Sequence, residues 1–435
     1  MESVPDTALL DTALNLWSAN ATRASMVDNG AGDYVYSQTS IPKTTYDTYR
    51  EKLVDNGYTE YAATNRASGL NGTVYNYIYE KGNLQLNVIF VGTAANKTSG
   101  TVFISATYGQ PASAYLVNGG TTVSDKIQAK TVSNASLHMI KTNVAGSSFV
   151  IQLKNGHFVI NDGGDKGEME DLLNYLRVLA GTTNGIQNPV VIEAWTVSHL
   201  HTDHMALFRD ILENSVSLDD VYVEGVYVNQ PSNEKCNQDD HPGDIRRQTA
   251  LFTLAIKRLR TTSGKEPQIY RYEAGQRYYF DDVTMDVLFT QDMLPTQALK
   301  DTINEFNDTS TWLKFTIEGK SVLIAGDAEA TSIIKVREMY GDSGYLQPDV
   351  FVAFHHGINT YATTYNYGIN LFITSSSSTQ RVLVPQIDKD TFATTYPTRY
   401  EYLVNNTNAN YRYWSGLGTV TLTFSSSGIT YAQTP

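Results

Sequence analysis

The chain has 435 residues, 41% of them hydrophobic and only 18% charged, which excludes a disordered protein and supplies material for two domains or one large domain with an appendage. A net charge of −13 argues against generic binding to nucleic acid, because non-specific affinity for a polyanion comes mostly from Lys and Arg on its phosphates. No run approaches the ~18 apolar residues of a membrane-spanning helix, and with Cys236 as the one cysteine an intrachain disulfide is ruled out.

The opening "MESVPDTALL" lacks a basic n-region and an apolar h-region, so no signal peptide is legible. Met1 is either a genuine start or a stand-in for a removed leader. Twenty-nine tyrosines and runs of Ser and Thr favour an extracellular or cell-surface setting slightly over the cytoplasm. "DTALLDTALNLWS" has helical spacing behind the capping residue Asp6, and a second amphipathic helix begins near Thr45 and stops at Asn56-Gly57. The runs "TVYNYIYE", "LQLNVIFV", "GTVFISATYG" and "ASAYLV" read as strands. Residues 1–125 are therefore expected to form a small α+β accessory domain without a catalytic constellation, and residues 126–435 a second, α/β domain.

From Lys130 onward strands and helices alternate, the mark of a layered α/β architecture. "LHMIKT", "SFVIQLKNG" and "HFVINDGG" read as hairpin strands. "KGEMEDLLNYLRVLAG" is a helix, "NPVVIEAWTVSH" a buried strand, "MALFRDILENS" a helix and "VYVEGVYVNQ" a strand. A long amphipathic helix, "DIRRQTALFTLAIKRLRTT", carries a basic face from Arg246 to Arg260, read as a solvated covering face rather than an electrostatic strip. "VTMDVLFT", "TSTWLKFTIEG" and "KSVLIAGDAE" are strands, "ATSIIKVREMYG" is a helix, and "PDVFVAFHHG" is a strand ending in two histidines. "LFITSS", "RVLVP" and "GTVTLTFSSSGITYA" close the chain as strands.

The stretch "WTVSHLHTDHMALF" holds three of the eight histidines, His199, His201 and His204, with Asp203 between the last two. Either they share a solvated turn by accident, or they are metal ligands delivered from one strand end. Loops at the C-terminal ends of strands build the sites of α/β folds, and imidazole nitrogens with a carboxylate suit zinc, manganese or iron. Strand alternation puts His199 and His201 on one side, and the turn into the next helix brings Asp203 and His204 round to them. Three further strand ends carry compatible groups: Asp327 in "VLIAGDAE", His355 and His356 in "VFVAFHHG", and Asp162 in "FVINDGG".

Together these motifs resemble the metallo-β-lactamase superfamily over roughly residues 130–435. The order "FVINDGG … VSHLHTDH … NDTSTWLKFTIEGKSVLIAGDAE … PDVFVAFHHG" is most similar to the branch typified by the C-terminal domain of competence-associated ComEC proteins, an order phosphorylcholine esterases largely share. The resemblance implies an αββα sandwich with a metal site along one edge of two sheets. It also implies two divalent transition-metal ions, zinc first, with manganese or iron as alternatives. His199 and His201 would hold one ion. Asp203, His204 and one of His355 and His356 would hold the other, with Asp327 bridging and Asp162 supporting a ligand from behind. Adjacent strand residues point to opposite faces, so one histidine of the 355/356 pair would ligate and the other contact substrate or donate a proton. Two departures stand out: the interval before Asp327 holds only His241, in a turn-like "DDHPGD" that reads as a loop residue, and "HHGI" replaces the branch's His-His-Gly-Ser.

Such ions pull the pKa of a bound water toward about 7, so hydrolysis is the expected chemistry. Asp203, His355 and His356 are the candidate catalytic groups. Family analogy points to a phosphodiester, and the acidic charge to a small or cell-envelope one. A competence-type nuclease, a lactone or ester hydrolase and a non-catalytic metal-containing binding protein are the alternatives.

Overall fold

The computed structural model describes residues 7–30, 33–64, 70–109, 112–118, 127, 129–143, 146–213, 216–231, 242–293, 306–341, 344–360, 371–373, 378–386 and 388–434. Cys236 and His241 lie outside them. Two sheets form the centre. In the first, the strands lie side by side in the order Gln268–Tyr270, Gly225–Val228, Val190–Val197, Phe158–Asp162, Ser148–Gln152, Ser136–Met139, Thr419–Ser425 and Gly428–Thr434, with Val221–Val223 also beside Val190–Val197. In the second, the order is Arg277–Phe280, Val283–Phe289, Trp312–Ile317, Lys320–Ile324, Val350–Val352, Arg381–Val384 and Arg412–Trp414.

Period-two patterning decides how these sheets stack. Leu137, Phe149, Ile151, Val159, Leu422 and Phe424 of the first sheet share one buried cluster with Met285, Leu313, Phe315, Val322, Ile324 and Val350 of the second. The opposite face of the first sheet, including Ile160, Ile192, Trp195 and Val226, packs on Leu172, Leu173 and Leu176 of helix Met169–Ala180 and on Phe252 and Ile256 of helix Pro242–Ile256. The opposite face of the second, including Trp312, Leu323, Phe351 and Val382, packs on Ile333 and Val336 of helix Ala330–Tyr340 and on Phe392 and Leu403. Helix, sheet, sheet, helix is the αββα sandwich, and burial of each large side chain contributes about 1.5–3 kcal/mol.

Residues 7–118 build a third, antiparallel sheet in the order Val27–Gly30, Asp33–Pro42, Ser99–Tyr108, Leu84–Val91, Val74–Lys81 and Thr59–Thr64. Leu86, Val88, Phe90 and Ile104 cover one face against Leu10, Leu14, Tyr46 and Leu53 of helices Thr7–Trp17 and Lys43–Asp55. The alternate positions Val74, Ile89, Val91 and Phe103 join the core of the second sandwich sheet. Both faces of this sheet are therefore covered.

Several local expectations fail for identifiable reasons. "ASAYLV" is not a strand but a 3-10 turn, Ala114–Leu116, capped by Ser113 Oγ accepting from Tyr115 N at 3.3 Å. "MALFRDILENS" splits into helices Thr202–Met205 and Phe208–Leu212, because the loop after Asp162 intrudes and Gly164 O takes the Leu207 N–H. "VYVEGVYVNQ" is two strands broken at Glu224. The basic helix stops at Ile256, so Arg258 and Arg260 lie beyond it and donate to the carbonyls of Ile211, Leu212, Lys257 and Leu259. Leu371–Ile373, the part of "LFITSS" within the described residues, is not strand.

His138 gives the sandwich a pH dependence. It is buried, with Nε2 2.8 Å from Ser136 Oγ and Nδ1 2.9 Å from Tyr175 OH, and burial lowers its pKa from 6.5 to about 4. The unfolded chain therefore binds this proton more readily, so the stabilisation is complete above about pH 6.5 and is lost as the pH falls toward 4. Unfolding free energies from urea titrations at pH 7 and 4.5 are expected to differ less in His138→Gln than in the parent, by about 2–3 kcal/mol.

Candidate metal centre

The strands that end at the site run parallel within each sheet. Phe158–Asp162 and Gly225–Val228 flank Val190–Val197 in the first sheet, and Lys320–Ile324, Val350–Val352 and Arg381–Val384 lie together in the second. Their C-terminal ends meet at one edge of the sandwich. Contact there is close: a Cβ on Gly326, whose φ is +50°, would lie 2.6 Å from Ser198 Oγ. Gly326 is thus small because two sheet edges meet at it.

Asp203, His204, Asp327 and His356 converge, with one potential ligand atom from each lying within 4.8 Å of all the others. Asp203 and His204 come from the single-turn helix Thr202–Met205. Asp327 follows strand Lys320–Ile324, its amide bonded to Ser310 Oγ at 3.1 Å. His199 and His201 sit beside the group: His199 Nε2 is 3.1 Å from His201 Nδ1, and the His199 and His204 rings are 4.3 Å apart.

The histidines are held from behind. Asp162, fully buried and left-handed at φ 57°, accepts from Ser198 N at 2.7 Å and Ser198 Oγ at 2.9 Å, and its Oδ2 lies 2.8 Å from His204 Nδ1. His356 Nδ1 is 3.1 Å from Pro385 O, and His355 Nδ1 is 2.9 Å from Glu329 Oε1. With Nδ1–H donated outward, each Nε2 faces inward: His204 Nε2 is 3.0 Å from Asp327 Oδ1, His356 Nε2 3.0 Å from Asp203 Oδ2, and His355 Nε2 3.7 Å from Asp327 Oδ2.

This donor set fits a divalent cation. His204 Nε2 and Asp327 Oδ1 are buried, and although 3.0 Å apart they are not aligned as a hydrogen bond, which leaves both without one. A lone pair aimed at a carboxylate oxygen is repulsive unless positive charge lies between them or on the ring. The same conflict sets the titration of the group. Burial opposes charge on His204, but Asp327 and Asp203 outweigh it and raise its pKa. Burial likewise opposes charge on His356, yet Asp327 and the hydrogen bond to Asp203 push it up to about 10. Asp203 is held below the usual carboxylate range against its burial, by His204 and His356. His199 goes the other way: burial, then His204 and His201, keep it well below its ordinary value, so it stays a neutral potential ligand.

Strand alternation does not govern the 355/356 pair. The strand ends at Val352, and both histidines take the left-handed conformation, φ 48° and 52°, at the start of the turn His355–Thr360. Such a backbone costs about 1–2 kcal/mol per non-glycine residue. His356 faces Asp203 and Asp327, while His355, 24% exposed at its side chain, sits at the rim with Glu329. Glu329, Ser198, Ser310 and the Pro385 carbonyl are additions to the sequence-derived set. Only Glu329 left a hint, two places after Asp327 in "GDAE".

No protein-family model and no curated protein matches the chain. Among solved structures it is similar to a long-form RNase Z from yeast, with 10% identity and a TM-score of 0.38 over 69% of this chain and 50% of that one, so it spans half the length of that protein. It is similar also to unliganded yeast PDE1, with 10% identity and a TM-score of 0.36 over 67% of this chain and 100% of that one. A Thermotoga maritima protein assigned as a metallo-beta-lactamase follows at 14% identity and a TM-score of 0.28, covering 50% of this chain and 95% of that one. Likenesses this distant say nothing about activity.

The support behind His204 is testable. Asp162→Ala is expected to weaken zinc affinity about 10–100-fold, the usual effect of losing a carboxylate behind a ligating histidine. Competition with a chromophoric chelator measures it, and unchanged affinity would remove Asp162 from the account.

Proposed function

We propose that the chain is a metal-dependent hydrolase of the metallo-β-lactamase type that cleaves a small or cell-envelope phosphodiester with two divalent ions, zinc before manganese or iron. The observation that carries this reading is the convergence of Asp203, His204, Asp327 and His356, with the outer nitrogen of each histidine tied to an acceptor. Asp203, His204, Asp327 and His356 would hold one ion, and His199 with His201 the other, next to Asp327. Ions bound there would lower the pKa of a coordinated water and offset charge developing on a phosphoryl oxygen.

The chain's own groups divide the remaining work. Asp162 and Pro385 O fix the two rings so that neither histidine reorganises during the reaction. His355, tied through Nδ1 to Glu329 at the rim and with Nε2 toward Asp327, would be placed to pass a proton to a departing oxygen. Asp203 orients the attacking water. The preference for a phosphodiester rests on the motif order in the sequence, and the preference for a small one on the net charge of −13 and the carbonyl-bound guanidinium groups of Arg258 and Arg260.

Zinc-loaded protein is expected to hydrolyse bis(p-nitrophenyl) phosphate and p-nitrophenyl phosphorylcholine, and the double variant His201→Ala/Asp203→Ala to lose this turnover. Turnover surviving the double change would refute the site. Cleavage of single-stranded DNA in preference to the small esters would make the chain a nuclease. Failure on all three substrates would favour lactone hydrolysis or a binding role.

A further inference from the structure

The face that the N-terminal sheet turns toward the sandwich carries polar groups among its apolar ones, and three of them are bonded across the boundary. Asn76 Nδ2 donates to Ala274 O at 3.1 Å, Gln276 Nε2 to Asn87 Oδ1 at 2.9 Å, and Ser105 Oγ to Glu273 Oε1 at 2.8 Å. All six residues are buried. Segment 271–276 is therefore the seam between the two parts.

From that seam the bonds continue toward the metal centre. Arg271, with a side chain 6% exposed, pairs with Glu273 Oε1 at 3.2 Å and with Asp292 Oδ2 at 2.6 Å. It also donates to Gln230 O at 2.8 Å and Asn229 Oδ1 at 3.3 Å. Asn229 Nδ2 in turn donates to Asp292 Oδ2 at 2.8 Å and Tyr272 O at 3.0 Å. Asn229 follows Val228, the register partner of Val197, and the buried Tyr272 hydroxyl donates to Val197 O. Burial pushes the Tyr272 pKa up, so this hydroxyl keeps its proton and remains a donor. Val197 is the last strand residue before Ser198 and His199.

We propose that the N-terminal sheet braces the metal centre from behind rather than forming a separate binding module, and that Arg271 is the positioning residue that ties Ser105 of that sheet to the strand end bearing His199 and His201. Two carboxylates and one guanidinium, their side chains 1–6% exposed, share these bonds, and removing one member leaves buried charge with fewer partners. The Ser105 hydroxyl is one of the groups holding Glu273 Oε1, so its loss is felt along the chain at Val197. The positioning role in a reaction rests on the hydrolase reading above; the mechanical tie does not.

Hydrogen exchange on metal-free protein separates the two. Ser105→Ala is expected to speed amide exchange across Thr196–His201 about fivefold, the equivalent of one lost hydrogen bond, with strand Lys320–Ile324 unchanged and zinc affinity falling by a similar factor. Ser105→Thr, which keeps the hydroxyl, restores both. Arg271→Met is expected to act in the same direction and more strongly; Ser105→Ala decides the matter if that variant does not fold. Exchange at Thr196–His201 equal to the parent, or loosening spread evenly over the chain, overturns the proposal. Phosphodiester turnover of the unsubstituted protein, measured alongside, reports on the hydrolase reading independently.

Discussion

The candidate centre depends on one buried contact, Asp162 Oδ2 against His204 Nδ1 at 2.8 Å. It fixes the orientation of a fully buried imidazole and aims the other nitrogen at Asp327. Asp162 can do this because its left-handed backbone turns the carboxylate back over the strand end, where the Ser198 amide and hydroxyl occupy its remaining acceptor sites. A buried carboxylate without those donors would carry a large desolvation cost. With them it holds its histidine while the inner groups crowd together.

That crowding follows from the sandwich. Parallel strands within each sheet bring their C-terminal ends to one side, and face-to-face stacking sets the two rows of ends against each other. The first sheet delivers Asp162 and the segment from Ser198 to His204; the second delivers Asp327, His356 and the Pro385 carbonyl. Neither sheet alone carries the full set. The N-terminal sheet adds a third surface, and its buried asparagine and serine contacts run to the seam behind Val197 rather than to solvent.

The candidate cluster was largely legible because its members are local to one another or mark strand ends. Four of them lie within six residues, and Asp327 and the 355/356 pair close apolar runs. What stayed hidden is what long-range contacts decide. The handedness of the backbone at His355 and His356 is set by Gly326 O, 3.1 Å from His355 N, and by Pro385 O beneath His356, so strand alternation gave no guide to which ring turns inward. The Pro385 carbonyl has no side-chain signature at all. Asn76, Asn87 and Ser105 were visible as polar positions in apolar strands, but their partners lie some 170–200 residues away. The break between the two short helices after His201 likewise comes from Gly164, a residue on another strand's loop.

The most direct test is anomalous diffraction at the zinc edge from crystals of the zinc-loaded chain. A strong peak is expected among Asp203, His204, Asp327 and His356, with a second beside His199 and His201. Fully loaded crystals with no peak among those four residues would contradict it.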